Sequence, residues 1–186
     1  MARYCICIMA TAIYNTYNNN TNNNTMKITL KNIKHSEFAS QETNCFQADI
    51  YIDGKPFACV SNDGVGASDM HYKHPKNPTN NFHADLRKVD EQLKADYPNS
   101  YGLDGIVSDV LVDHLVTKDV KKLMSRNMIV FEKGEKGYYK YGKKKYNITK
   151  KRIGLFYNHL SQKFADNWVC INQMPLAEAV AYFKAN

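Results

Sequence analysis

From Met26 onward, apolar and polar residues fall into short alternating runs. Met26, Ile28 and Leu30 alternate with Lys27, Thr29 and Lys31, the period of a half-buried strand. A second strand places Phe46, Ala48, Ile50 and Ile52 on one face, with Gln47, Asp49 and Tyr51 on the other. Asp53-Gly54 supplies the left-handed residues of a tight hairpin, and a third strand returns over 56–61. Asn62-Asp63-Gly64-Val65-Gly66 ends it, and a polar loop containing Pro75 and Pro78 is predicted as far as His83.

Helical periodicity follows. Leu86, Val89 and Leu93 form a stripe from about Ala84, stopped by Pro98. Val107, Val110, Leu111 and Leu115 form a second, which Val120, Leu123 and Met124 continue directly or as a short successor. Residues 128–131 are apolar throughout, as in a strand buried on both faces, and Gly134 and Gly137 bracket a turn into a strand over 138–141. Thr149 is placed to cap a third helix with the stripe Ile153, Phe156, Tyr157, Leu160 and Phe164. A strand over 168–171 precedes a last helix opened by Pro175 and burying Leu176, Ala179, Val180 and Phe183. Strands gather early and helices late. The fold class is therefore α+β, a small antiparallel sheet with an N-terminal hairpin packed by about four helices.

Residues 1–25 differ in kind. Asn18 to Asn20 and Asn22 to Asn24 make a low-complexity tract with nothing to bury. We expect a disordered tail, or an annotated start upstream of the real one at Met26, ahead of a single domain over 26–186. Ala10-Thr11-Ala12 has the form of a signal-peptide cleavage site, but the apolar run before it is short and only Arg3 is basic. No apolar run is long enough to span a membrane. The five cysteines are odd in number and contain no CxxC, as expected of reduced, buried thiols and not of a disulfide frame or zinc knuckle.

Charge adds the most distinctive feature. Of 25 basic and 18 acidic residues, nine and two lie within 132–152, and the rest of the chain balances at 16 each. The whole net charge of +7 thus sits in one segment. There Tyr138, Tyr139, Tyr141 and Tyr146 interleave with Lys140, Lys143, Lys144 and Lys145, and Lys150, Lys151 and Arg152 follow. Lysines neutralise phosphates and tyrosines offer faces for stacked bases. With Thr149 as cap, Lys150 to Arg152 would fill the first turn of a helix, where cations oppose the dipole but converge with open N–H groups on an anion. The competing explanation is a lysine-lined hairpin edge that discourages strand pairing.

A second candidate is the polar loop, where Asp63, Asp69, His71 and His74 are metal-ligand types close in sequence. They would serve a metal-dependent nuclease or hydrolase. Pro75 and Pro78 argue against the helix that His71 and His74 would need, and ordinary loop residues are the competing explanation. Gly64 and Gly66 fall short of any phosphate-binding fingerprint, and no cofactor is expected.

The segments Lys31-Asn32-Ile33-Lys34, Phe38-Ala39-Ser40, Glu42-Thr43-Asn44-Cys45-Phe46, Asp53-Gly54 and Val60-Ser61-Asn62-Asp63-Gly64, with Pro175-Leu176-Ala177-Glu178-Ala179 near the end, resemble a group of small proteins encoded by phages and mobile elements. The resemblance implies a bacterial cytoplasm and action by binding, in some members against host defences, as in anti-CRISPR proteins. It carries over no catalytic residue. The resulting expectation is a non-enzymatic protein that binds nucleic acid or a nucleoprotein complex, including that of a host defence system. Its contacts would be Lys140, Lys143, Lys144, Lys145, Lys150, Lys151 and Arg152, with Tyr139, Tyr141 and Tyr146.

Overall fold

The structure is a computed structural model that describes Arg3–Tyr4 and residues 26–186. The expectations for the N-terminal tail, for the cleavage-site form at Ala10 to Ala12 and for Cys5 and Cys7 lie outside the described residues. Two compact units divide the chain, Asn18–Val112 and Asp113–Asn186 with Met1–Tyr17.

In the Asn18–Val112 unit, four antiparallel strands follow one another across the sheet: β2 (Ile28–Ser36), β3 (Cys45–Ile52), β4 (Lys55–Asn62) and β5 (Met70–Lys73). The alternation seen in sequence sets the two faces. Phe46, Ala48 and Ile50 of β3 and Ala58 and Val60 of β4 are buried, while Gln47 and Asp49 turn to the other side. Asp53 and Gly54 take φ of 50° and 79° and make the expected hairpin. β5 falls inside the expected loop. Its sequence, Met-His-Tyr-Lys, has no apolar alternation, and what orders it is pairing along the edge of β4, Val60 opposite His71 and Ser61 opposite Met70.

Two helices complete this unit's elements, α1 (Phe82–Asp96) and the start of α2 (Gly102–Arg126). The boundary between the units falls within α2, which is continuous through the point where a successor helix was conceivable. Asp90 of α1 accepts a hydrogen bond from the Leu103 N–H at 2.9 Å and pairs with Lys94 at 2.6 Å. Partial burial pushes this carboxyl up, but Lys94 and the Leu103 N–H outweigh it and hold it below the ordinary carboxylate value. The stability it lends is present above about pH 4 and is lost as pH falls through the lowered value. Asp90→Ala is expected to cost about 1 kcal/mol at neutral pH, and to flatten the acid side of a pH–stability profile measured by urea unfolding.

The other unit contains β6 (Asn127–Glu132), β7 (Tyr138–Gly142), β8 (Trp168–Cys170) and the two-residue β1 (Arg3–Tyr4), ordered β1-β7-β6-β8 and antiparallel throughout. Helices α3 (Ile153–Phe164) and α4 (Leu176–Ala185) flank it in sequence. Both faces of this sheet are covered, which explains the unbroken apolar run of β6. Ile129 and Phe131 join Val120, Val180 and Phe183 in one core, and Met128 and Val130 join Tyr141, Phe156 and Leu160 in another. Asn172 ties β6 to the end of α2, accepting from the Ile129 N–H at 2.7 Å and donating to the carbonyls of Met124 and Asn127.

The α+β class is thus as expected, with the strands shared between two sheets. Cys45, Cys59 and Cys170 are unpaired thiols, and burial pushes Cys170 up to about 11. No helix among the described residues is long and apolar enough to cross a membrane.

Candidate functional site

The basic segment occupies β7 and a chain of turns leading into α3. After Gly142 the backbone folds on itself: the Tyr146 N–H donates to Gly142 O, the Ile148 N–H to Lys143 O and the Arg152 N–H to Thr149 O. Asn147 takes a φ of 50° within this stretch. Ile148 and Ile153 pack against the core on the α3 side, which anchors the turns.

The ten expected contact residues divide by environment. Tyr141 is fully buried in that core and cannot receive a base, because β7 is a central strand covered on both faces. Tyr139 is half-buried, its ring against Phe164 and its hydroxyl donating to Glu132 at 3.2 Å. Lys140 is also half-buried. Lys143 donates through Nζ to the Met124 carbonyl at 2.6 Å, satisfying the end of α2 where the dipole favours a cation. That leaves Lys144, Lys145, Lys150, Lys151 and Arg152 exposed, with Tyr146 exposed between them.

Thr149 does not cap α3. It spends its carbonyl on a turn, helical bonding starts from Arg152 O, and Arg152 is the N-cap residue without a side-chain cap. Lys150, Lys151 and Arg152 therefore precede the first turn and do not fill it. The electrostatic consequence survives this correction, since the cations adjoin the positive end of a helix whose first turn has no acid. No Asp or Glu occurs between Glu135 and Asp166, and among the described residues no ion pair engages any of the five exposed cations. Leu155, 70% exposed, lies beside them.

The four metal-ligand types of the expected loop do not converge. His71 lies on β5 and His74 just beyond its end, where a helix was needed to bring the two together. Asp63 is exposed and accepts a hydrogen bond within its own turn, from the Val65 N–H. His74 goes to Asp49 and Cys59, and Asp69 and His71 go to Asp104.

The His74 group is hydrogen-bonded internally. Its Nδ1 accepts from the Lys76 N–H at 3.1 Å, so the ring proton sits on Nε2, facing Asp49 at 3.9 Å. Asp49 accepts from Asn32 at 2.7 Å, which with Cys59, His74 and Lys34 lowers its carboxyl despite burial. Burial and Asp49 push the Cys59 thiol up. A protonated thiol and a ring nitrogen carrying its proton toward the group make neither a nucleophile nor a metal cage.

Asp69, His71 and Asp104 offer ligand atoms within 4.8 Å of one another. Asp69 and Asp104 line a cleft of about 240 Å³, together with Thr43, Asn62, Tyr101 and Ser108. The buried Asn62 organises this region. It donates to Asp69 Oδ1 and the Ala67 carbonyl, and its Oδ1 accepts from Thr43 and the Gly64 N–H, each at 2.8 Å. Burial pushes the Asp69 carboxyl up, the bond from Asn62 lowers it, and Asp104 adds to the rise. Asp104 and Asn62 escaped sequence reading because nothing in their spacing links them to Asp69. Comparison of the chain with protein-family models, with curated proteins and with solved structures finds no match.

Proposed function

We propose that the chain is a non-enzymatic nucleic-acid-binding protein that holds phosphates with Lys144, Lys145, Lys150, Lys151 and Arg152. The carrying observation is their shared exposure on anchored turns beside a helix N-terminus, in a stretch without a single carboxylate side chain. Tyr146 supplies a stacking face among them, with Lys145 Nζ 5.9 Å from its ring centroid. Lys143 holds the end of α2, and Tyr141 belongs to the core. The phage or mobile-element setting, the bacterial cytoplasm and a nucleoprotein of host defence as the form of the target derive from the resemblance over 26–186.

The test is binding to short DNA and RNA, duplex and single-stranded, across a salt series. Five phosphate contacts correspond to a slope of about −4.5 in log K against log salt on duplex DNA, or roughly 500-fold between 50 and 200 mM. Replacing Lys144, Lys145, Lys150 and Lys151 together by alanine is expected to abolish measurable binding and flatten the slope. Absent binding, salt-independent binding, or binding unchanged in that variant would overturn the reading.

A further inference from the structure

We propose that the exposed face of α2 within the Asp113–Asn186 unit is a second row of phosphate contacts, and that the partner of the whole basic surface is double-stranded DNA. This rests on the nucleic-acid reading above and extends it.

Charge counted by unit differs from charge counted along the chain. Residues 18–112 carry 9 basic and 12 acidic residues, whereas residues 113–186 carry 15 and 6. The balance outside the basic segment is therefore an average over two unlike units, and further uncompensated cations belong to the second. Four of them are on α2. Val120 is buried, and Val116, Leu123 and Met124 pack against the same core, which leaves the opposite side of the helix to solvent. Lys118, Lys121, Lys122 and Arg126 are all exposed.

Helix stability does not account for this row. The dipole favours a cation in the last turn, which explains Arg126 alone. Lys118 with Lys122, and Lys122 with Arg126, are successive like-charge pairs four residues apart, an arrangement that weakens a helix. Asp119 is the only acid between Asp113 and Glu132, and among the described residues no ion pair engages any of the four cations. A bound polyanion relieves that repulsion.

The row meets the basic turns at the end of α2. The Lys143 N–H donates to the Arg126 carbonyl at 2.9 Å, Lys143 Nζ donates to the Met124 carbonyl at 2.6 Å, and Gly142 pairs with Asn127. One basic surface thus runs along about 12 Å of helix from Lys118 and on into the turns.

Shape and composition select the duplex. Single strands are held by stacking successive bases on aromatic rings. Among the described residues of this unit only Tyr146 is an exposed tyrosine, against nine exposed cations on α2 and the turns. Phosphates therefore dominate the surface, as a paired duplex requires. An exposed helix face fits the major groove of B-form DNA, about 12 Å wide, and not the deep, narrow groove of A-form RNA.

The test is the affinity of the full-length protein for a short DNA duplex, its separate strands and an RNA duplex of the same sequence, across a salt series. Nine phosphate contacts correspond to a slope of about −8 in log K against log salt on duplex DNA, and replacing Lys118, Lys121, Lys122 and Arg126 by alanine should return it to about −4.5. The loss between 50 and 200 mM salt should drop from roughly 10⁵-fold to roughly 500-fold. Wild-type protein should bind duplex DNA more tightly than either alternative. Alanine is a strong helix former, so α2 should persist in the variant. If the fourfold variant fails to fold, Lys118→Ala with Lys122→Ala carries the same test with a slope change of about 1.8. An unchanged slope, or single strands or duplex RNA bound as tightly as duplex DNA, sinks the proposal. The variant in the turns is assayed alongside. Weakening there with none in the α2 variant removes the α2 row alone, whereas no binding to any nucleic acid removes both readings.

Discussion

Replacing Gly64 by alanine is expected to destabilise the Asn18–Val112 unit by about 3–4 kcal/mol. Gly64 has a φ of 87°, which an L side chain resists on its own account. A methyl group there would also lie 2.3 Å from the Ala39 carbonyl oxygen and 2.9 Å from Cys45 Cβ. The first of these is backbone and cannot rotate away. The Gly64 carbonyl moreover accepts the N–H groups of Gln41, Glu42 and Thr43, so displacing Gly64 strips three donors at once. Amide hydrogen exchange gives the direct readout. Protection at Gln41, Glu42 and Thr43 should fall by about 200-fold or more, at roughly tenfold per 1.4 kcal/mol. Gly54 is the internal comparison, with a φ of 79° and nothing within 4 Å of an added Cβ. Gly54→Ala should cost about 1 kcal/mol. Equal effects at the two glycines would show that backbone conformation alone is at stake and that the close approach at Gly64 is not.

The same loop shows what local sequence can and cannot say. Asn62 to Gly66 read correctly as a turn, because glycines after a strand need no partner to be recognised. That the turn receives the loop between β2 and β3 on its carbonyl depends on chain segments 21 to 23 residues away. β3, β4 and the start of β2 were legible because alternation of apolar and polar residues is a local signal. β6 was legible because burial on both faces makes a continuous apolar run. β5 was not, since its four residues show no apolar alternation and its order comes from the edge of β4.

The candidate sites divide along the same line. Charge is a property of composition, so the basic segment was visible at once, whereas accessibility belongs to the tertiary structure. Lys143 and Lys144 are adjacent and chemically identical, yet one binds the carbonyls ending α2 and the other faces solvent. Asp69 and His71 were recognisable as ligand types, but their companion is Asp104, 33 residues beyond His71 and brought there by the first turn of α2.

Tyr141 gives the sharpest test of that distinction, because it was expected at the binding surface and lies in the core. Its ring sits 5.1 Å from Phe156 and 5.5 Å from Tyr146, centroid to centroid, with no part of the residue exposed. Tyr141→Ala should therefore cost about 3–5 kcal/mol, the loss of a large buried ring and the cavity left behind. Tyr141→Phe keeps the packing. It removes a hydroxyl whose partner is Lys163 Nζ at 3.4 Å, and should cost no more than about 1 kcal/mol. Burial, reinforced by Tyr146 and Tyr139, pushes the Tyr141 hydroxyl up to about 12. The unfolded chain, with its ordinary value of about 10, thus ionises first. Stability should fall as pH rises from about 10 to about 12, and Tyr141→Phe should flatten that part of the urea-unfolding profile. Nucleic-acid affinity should be unchanged in Tyr141→Phe and reduced in Tyr146→Ala, because a stacking ring must be reachable. Loss of affinity in Tyr141→Phe with stability intact would return Tyr141 to the surface and require β7 to open when nucleic acid binds.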